Sequence, residues 1–226
     1  MIPRVHFILM LMIPAAGAAF GAAFYSRLPD PCPTHWNIHG EADAFGQRWE
    51  LAFGVPLVSA GLAGLLFGLP LLGPFRANFE RFRTIYGRIG VTILTGVGAV
   101  HVAMVLKATG RPIQLGAAFC IIFGLLLAVL GNWMGKLRRN FYVGIRTPWT
   151  IANDLVWERT HRVGGRLIVA GGLLSTAVGL AAPSDRVCFI VFMSWIGVLI
   201  AWAMVYSCWL YRRTGGIDQL SPANGD

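Results

Sequence analysis

Six long apolar stretches, separated by short polar segments, dominate the sequence. A helix needs about 17 residues or more to cross the hydrocarbon core of a membrane, and the stretches are close to or above that length. The predicted spans are His6–Tyr25, Leu51–Pro74, Ile89–Leu106, Gln114–Trp133, Leu167–Ala182 and Val187–Tyr211. This pattern predicts an all-α fold, a polytopic membrane bundle of six transmembrane helices.

The composition agrees with this pattern. Hydrophobic residues make up 56% of the 226 residues and charged residues only 13%, whereas soluble domains are about 45–50% apolar and about 25% charged. The Ala-rich segment Ala15–Ser26 resembles a signal-peptide cleavage region, but the apolar run that extends through it is about 20 residues long and exceeds the 7–15 residues of such a signal, which favours a true first span. The four cysteines show no metal-ligand spacing and fit small buried side chains.

The basic residues lie mainly on one side of the predicted membrane. With a cytoplasmic N-terminus, 14 of the 19 Lys and Arg residues fall in inner segments, and five acidic residues balance the five outer basic ones. The positive-inside rule therefore predicts that both termini are cytoplasmic. The net charge of +9 is explained by topology and anionic lipid, so direct nucleic-acid binding is not expected.

The outer loop between the first two spans contains a dense polar cluster. Three prolines force an extended entry to the loop, and Gly40 and Gly46 permit turns. The candidate ligand-facing residues are His35, Trp36, Asn37, His39, Glu41 and Asp43. The loop is interpreted either as a rigid hydrogen-bonded lid, with its tryptophan at the headgroup level, or as a metal or ligand site.

The metal interpretation depends on imidazole and carboxylate groups, which are the ligands that zinc prefers in proteins. His101 is an ionisable residue well inside a predicted span, about 9 Å below the outer interface at 1.5 Å per residue. An intramembrane ionisable group suggests function. The candidate zinc ligands are His35, His39, Asp43 and His101. The alternative for His101 is a neutral histidine that is hydrogen-bonded between helices.

Two inner segments carry further predictions. The basic segment Arg76–Arg88, with interleaved aromatic residues, predicts an interfacial helical turn or an anchoring connector. In the longest inner loop, Thr147 as N-cap and Pro148 at the first position predict an amphipathic interfacial helix, Pro148–Val163, which Gly164 and Gly165 end.

A candidate anion site accompanies this inner helix. Arg138, Arg139 and Arg146 lie near the positive end of the helix, where a phosphate or an acidic partner would bind. The alternative is that these arginines hold lipid headgroups, as basic residues beside membrane spans commonly do.

Two runs of residues resemble known families. The outer run Pro33-Thr34-His35-Trp36-Asn37, followed by Gly40-Glu41-Ala42-Asp43, resembles the DUF1648 domain. The inner run resembles the signature of the SdpI family through Asn140, Gly144–Thr150, Asn153, Val156-Trp157 and Thr160-His161. The segments are then a first span with a DUF1648-like loop (1–55), middle spans (56–119), an SdpI-like membrane region (120–211) and a cytoplasmic tail (212–226).

The resemblance implies a six-span protein of the bacterial plasma membrane. In that family, immunity to a secreted, membrane-active peptide toxin is joined to sequestration of a cytoplasmic repressor. Carried over, the outer loop would face the toxin. The inner partner site would comprise Arg138, Arg139, Asn140, Arg146, Thr147, Trp149, Asn153, Trp157 and His161.

Two classes of function follow. The first is a binding and signalling protein of the immunity type, for which no catalytic residue is assigned. The second is an outward-facing, metal-dependent membrane enzyme or a protein that binds lipid or another ligand. It would use His35, His39, Glu41 and Asp43 with His101. Membrane lipids are partners in both.

Overall fold

A computed structural model describes residues 2–72, 76–181 and 184–215, except for the side chains of residues 72 and 76–78. The helices are α1 (Arg4–Phe24), α2 (Arg48–Leu72), α3 (Arg76–Ala108), α4 (Leu115–Met134), α5 (Pro148–Ala152), α6 (Asp154–Ala181) and α7 (Asp185–Arg213). A single turn of 3₁₀ helix (Tyr25–Arg27) follows α1, and two short strands, β1 (Cys32–Trp36) and β2 (Ala42–Gly46), precede α2. Most of the predicted tail lies outside the described residues.

The prediction of a six-span helical bundle is confirmed. Six of the helices, all except α5, are long and apolar enough to cross a membrane. They pack as two groups of three, α1 with α2 and α3, and α4 with α6 and α7, and α3 joins the groups through α4. The chain is therefore a multi-pass membrane protein in which the outer loop belongs to the first group and the long inner loop to the second.

The helices α4 and α6 pack along an antiparallel seam of small residues. Residues Ala117, Gly124 and Gly131 of α4 face Gly179, Gly172 and Gly165 of α6, respectively. A Cβ on Gly172 would lie 2.5 Å from the carbonyl oxygen of Gly124, and a Cβ on Gly165 would lie 2.6 Å from that of Gly131. Small residues allow this backbone-to-backbone approach, which stabilises helix pairs within a membrane.

The observed inner helix differs from the predicted one. The helix starts at Pro148 as predicted, but it ends at Ala152, and Asn153 in an extended conformation separates it from α6. The predicted stop at Gly164-Gly165 is wrong, because α6 continues through both glycines into the fifth span. Gly165 is required for close packing on α4, and Gly164 contacts Ile145 and the ring of Trp202.

The segment Arg76–Arg88 differs from the predicted interfacial turn. It is the start of α3, whose 33 residues extend about 50 Å, well beyond a hydrocarbon core of about 30 Å. Its aromatic residues Phe79, Phe82 and Tyr86 are buried rather than exposed to headgroups. They pack with Leu137 and Trp157 in a core cluster at the inner end of the bundle.

The predicted orientation can be tested by labelling cysteines with a membrane-impermeant maleimide. Cys32 is fully buried, and this burial raises the pKa of its thiol, so it should remain unlabelled in the native protein. With both termini inside, we expect His39→Cys, at the exposed hairpin tip, to label in intact cells. Glu158→Cys, at the opposite end, should label only after permeabilisation. The reverse pattern would overturn the assigned orientation.

Candidate functional site

The outer loop folds as a β-hairpin against the end of the first helix group. Strands β1 and β2 pair antiparallel, with Cys32 opposite Gly46 and Trp36 opposite Ala42. Leu28 and Cys32 are buried in a cluster with Leu51, Ala52 and Val105, and Trp36 packs on its edge. These contacts bury part of β1, whereas β2 remains mostly exposed. The prolines explain the extended entry, but the strands were not predicted.

Asn37 organises the hairpin turn. Its Oδ1 accepts hydrogen bonds from the backbone N–H of His39 (2.8 Å) and Glu41 (3.2 Å), and its Nδ2 donates to Glu41 Oε2 (3.1 Å). Gly40 has a φ of +77°, which favours glycine. Asn37 therefore shapes the predicted site, whereas His39 and Glu41 are exposed beside it.

The exposed face of the hairpin combines acidic and apolar groups. The Nδ1–H of His35 donates to Asp43 Oδ1 across the strands at 2.6 Å, and both side chains are exposed to solvent. Phe45 is 58% exposed and Ile38 42% exposed. Together with Glu41, these residues define the hairpin face, which has the chemistry to bind a cationic, amphipathic ligand.

The predicted zinc site is not assembled. Among the residues that the structure describes, no three His, Cys, Asp or Glu side chains come together in a way that could hold a metal ion. His35 pairs with Asp43, but His39 and His101 do not join them. Helical depth alone does not specify which helices surround His101, so the sequence left both of its alternatives open.

His101 instead connects α3 to a proline-containing turn of α2. The ring is fully buried, and its Nε2–H donates to the carbonyl of Leu51 at 3.1 Å. The neighbouring carbonyl of Ala52 also interacts with the ring. Pro56 lies four residues after Ala52 and has no N–H to give to that carbonyl. The histidine therefore satisfies a backbone oxygen within the membrane, which corresponds to the alternative of a histidine hydrogen-bonded between helices.

Tyr86 donates to the carbonyl that a second proline of α2 leaves without a helical donor. Its hydroxyl donates to the carbonyl of Leu66 at 2.7 Å, and Pro70 lies four residues later. Sequence reasoning missed both pairs. The signal was present, because each proline within a helix leaves the carbonyl four residues earlier without its helical partner.

The hairpin tip reaches the second helix group. Asp185, in the first turn of α7, accepts a hydrogen bond from the backbone N–H of Gly116 in α4 at 2.9 Å. The same carboxylate lies against Gly40, where it leaves no room for a Cβ. The hairpin thus bridges the outer ends of the two groups.

At the opposite end, the long inner loop is a compact assembly around buried polar residues. Asn140 is fully buried. Its Oδ1 accepts from the N–H groups of Tyr142 (2.8 Å) and Val143 (2.9 Å), and its Nδ2 donates to the carbonyl of Arg138 (2.7 Å). This satisfies the backbone at a turn that is enclosed by the aromatic core.

Thr147 and Thr150 cap α5 and fasten it to α7. The Thr147 side chain accepts from the backbone N–H of Thr150, and the Thr150 hydroxyl accepts from that of Thr147, which forms a capping box. The Thr147 hydroxyl also donates to Ser207 Oγ of α7 at 2.9 Å. The predicted N-cap is therefore confirmed, and Asn153 caps α6 through the N–H of Val156 at 3.0 Å.

Trp157 and His161 form the centre of the inner assembly. Trp157 is 2% exposed and donates from Nε1 to the carbonyl of Leu137 at 2.9 Å. Its ring stacks on His161 at 4.0 Å. His161 accepts the N–H of Ile145 on Nε2 (2.9 Å) and donates from Nδ1 to the carbonyl of Trp157 (2.8 Å). This bonding pattern requires a neutral ring.

The arginines of the predicted anion site are divided between different contacts. Arg139 pairs with Asp154 at 3.0 Å and donates to the carbonyl of Ile151. Arg146 is exposed and donates to the carbonyl of Phe141. The α5 terminus is already capped, so what remains outward is Arg138, Arg146 and part of Trp149.

The class of protein is therefore a six-span helical membrane protein without an appended domain in the described ranges, with a β-hairpin at one end and a folded polar loop at the other. Residues 136–207 match the model of the SdpI/YfhL protein family, and residues 12–60 match a domain of unknown function, DUF1648. These matches confirm the resemblance to the SdpI family.

A curated relative extends the similarity beyond these segments. The chain is 18% identical to "Immunity protein SdpI" of Bacillus subtilis (strain 168) over 192 residues, which are 85% of this chain and 89% of that protein. No solved structure matches. The matched segments contain both the outer hairpin and the inner assembly.

Proposed function

We propose that this protein is an immunity protein of the bacterial plasma membrane that protects the cell from a secreted, membrane-active peptide toxin. The observation that carries the proposal is the similarity to an immunity protein over 85% of this chain and 89% of that relative. No catalytic residue is needed for this function, since protection follows from binding the peptide.

The hairpin face supports toxin recognition. It presents Glu41 and Asp43 beside the exposed ring of Phe45 and the exposed side chain of Ile38. Membrane-active peptides commonly combine basic residues with apolar ones. Acidic groups would attract such a peptide, and the exposed apolar side chains would then contact its nonpolar face. Asn37 and the buried side of β1 hold this surface in place.

The inner assembly is the proposed site for a cytoplasmic partner, a repressor by the family resemblance. Its exposed residues include Arg138, Phe141 and Arg146, of which Arg146 directly precedes the N-cap of α5. Helix α7 touches the hairpin side through Asp185 and the inner assembly through Ser207. Peptide binding outside would be communicated along this helix to the inner surface.

Survival of a sensitive bacterium tests the proposal. We expect cells that express the chain to withstand a secreted, cationic, membrane-active peptide at concentrations that kill control cells. The double variant Glu41→Gln/Asp43→Asn should reduce this protection by several fold, because exposed charge pairs each contribute up to about 1 kcal/mol. Proteins that co-purify with the chain only after exposure to the peptide would identify the inner partner.

The matched control removes two negative charges at the inner end of the protein. Glu80→Gln/Glu158→Gln alters two exposed inner carboxylates that pair with Arg83 and Arg162. It should protect as well as the unchanged protein at equal membrane abundance. Equal killing of expressing and control cells by every such peptide, or equal loss in both double variants, would contradict the proposal.

A further inference from the structure

The outward face of α7 carries a shallow apolar groove that the proposed function does not use. Its volume is about 670 Å³, and its lining is Val198, Ala201, Trp202, Val205, Tyr206 and Trp209. Trp202 stacks on Tyr206 at 5.0 Å, and Tyr206 contacts Trp209 at 5.8 Å. The three rings form a continuous aromatic wall.

Two arginines lie at the inner end of this groove. Arg212 and Arg213 follow Trp209 by three and four residues, so they share its side of the helix. The Arg213 guanidinium lies 4.6 Å from the centre of the Trp209 ring. Both arginines are exposed, and neither forms a salt bridge within the part of the chain that the structure describes.

The length of the groove fits one leaflet of a membrane. From Val198 to Trp209 the helix rises about 16 Å, close to half of a hydrocarbon core of about 30 Å. The groove therefore begins near the middle of the bilayer and ends at the predicted cytoplasmic interface, where the arginines lie. These dimensions match an acyl chain with a charged headgroup above it.

We propose that this α7 groove is a binding site for one anionic phospholipid of the inner leaflet. An acyl chain lies along the aromatic wall, and the lipid phosphate binds Arg212 and Arg213. This site is independent of the immunity proposal, since it uses neither the hairpin face nor the outward residues of the inner assembly.

A second copy of the chain is a poorer occupant. A two-fold axis along the membrane normal would place the same residues of both copies at the same depth. Arg212 and Arg213 of one copy would then face those of the other, and like charges repel. A lipid phosphate neutralises these arginines instead.

Native mass spectrometry of the full-length protein in detergent tests the site. Phosphatidylglycerol and phosphatidylcholine with identical acyl chains are titrated separately, and the former should bind more tightly. The Arg212→Gln/Arg213→Gln variant should weaken phosphatidylglycerol binding about twenty-five-fold, from about fivefold for each arginine. Arg159→Gln/Arg166→Gln, which removes two exposed inner charges of α6, should retain the preference.

A second variant tests the groove separately from the charges. Ala201→Trp fills the exposed groove, so it should weaken the binding of both lipids while leaving the gel-filtration profile unchanged. Undiminished phosphatidylglycerol binding in either the arginine variant or Ala201→Trp would overturn the proposal. A two-copy species that Ala201→Trp dissociates would also overturn it and would assign the groove to self-association.

Discussion

Replacing Gly172 with alanine is expected to separate α4 from α6 and to destabilise the whole second helix group. The new Cβ would lie 2.5 Å from the carbonyl oxygen of Gly124 and 2.6 Å from the N of Ala128, both backbone atoms that cannot rotate away. Overpacking of this kind costs about 1–3 kcal/mol or more. The temperature at which detergent-solubilised protein loses its monodisperse gel-filtration peak should therefore fall.

The same substitution elsewhere in the chain gives the control. Gly197 of α7 has no atom within 4 Å of an added Cβ, so Gly197→Ala removes only the flexibility of glycine. Alanine is favoured over glycine in a helix by about 1 kcal/mol. Gly172→Ala should thus lower the temperature at which the gel-filtration peak is lost, and Gly197→Ala should raise it slightly. Equal effects at both positions would refute the assigned seam.

Replacing Trp157 with alanine is expected to open the inner assembly while the spans remain inserted. The ring is almost fully buried, and truncation of such a residue costs about 3–5 kcal/mol. The carbonyl of Leu137 also loses its donor. In inside-out vesicles, trypsin should cleave the variant rapidly at Arg138, Arg139 and Arg146, sites that the native assembly protects in part.

Two further substitutions serve as controls for the Trp157→Ala result. Trp157→Phe keeps most of the packing but removes the Nε1–H donor, so its cleavage rate should be intermediate. Trp149→Ala changes the same residue type at a half-buried position of the same loop and should increase cleavage far less. Equal rates for the alanine variants at 149 and 157 would show that burial of Trp157 is not what holds the loop.

The six spans could be predicted because each depends on local hydropathy over a long window. The capped start of α5 could also be predicted, because Thr147 and Pro148 determine it through contacts with residues close to them in the sequence. The Gly164-Gly165 stop failed because glycine has two uses, to end a helix and to admit another backbone, and only the position of α4 decides between them.

The candidate sites show the same limit. The sequence identified the polar residues at both ends, but it did not separate those that build the surface from those exposed on it. Asn37, Asn140 and His161 are committed to backbone partners, whereas Glu41 and Arg146 remain outward. The two asparagines bond across their own turns, and His161 bonds to the inner loop and to its own helix. A linear pattern of polar residues does not reveal these partners.

The seam between α4 and α6 has a consequence for how these helices find their axial alignment. Small residues recur at every seventh position on both helices, so a slide of seven residues, about 10 Å, would again place glycine against glycine at two levels. The seam sets how closely the helices approach, but it admits more than one register. The choice of register falls to the inner loop, where the bond from Trp157 to Leu137 can form in only one alignment.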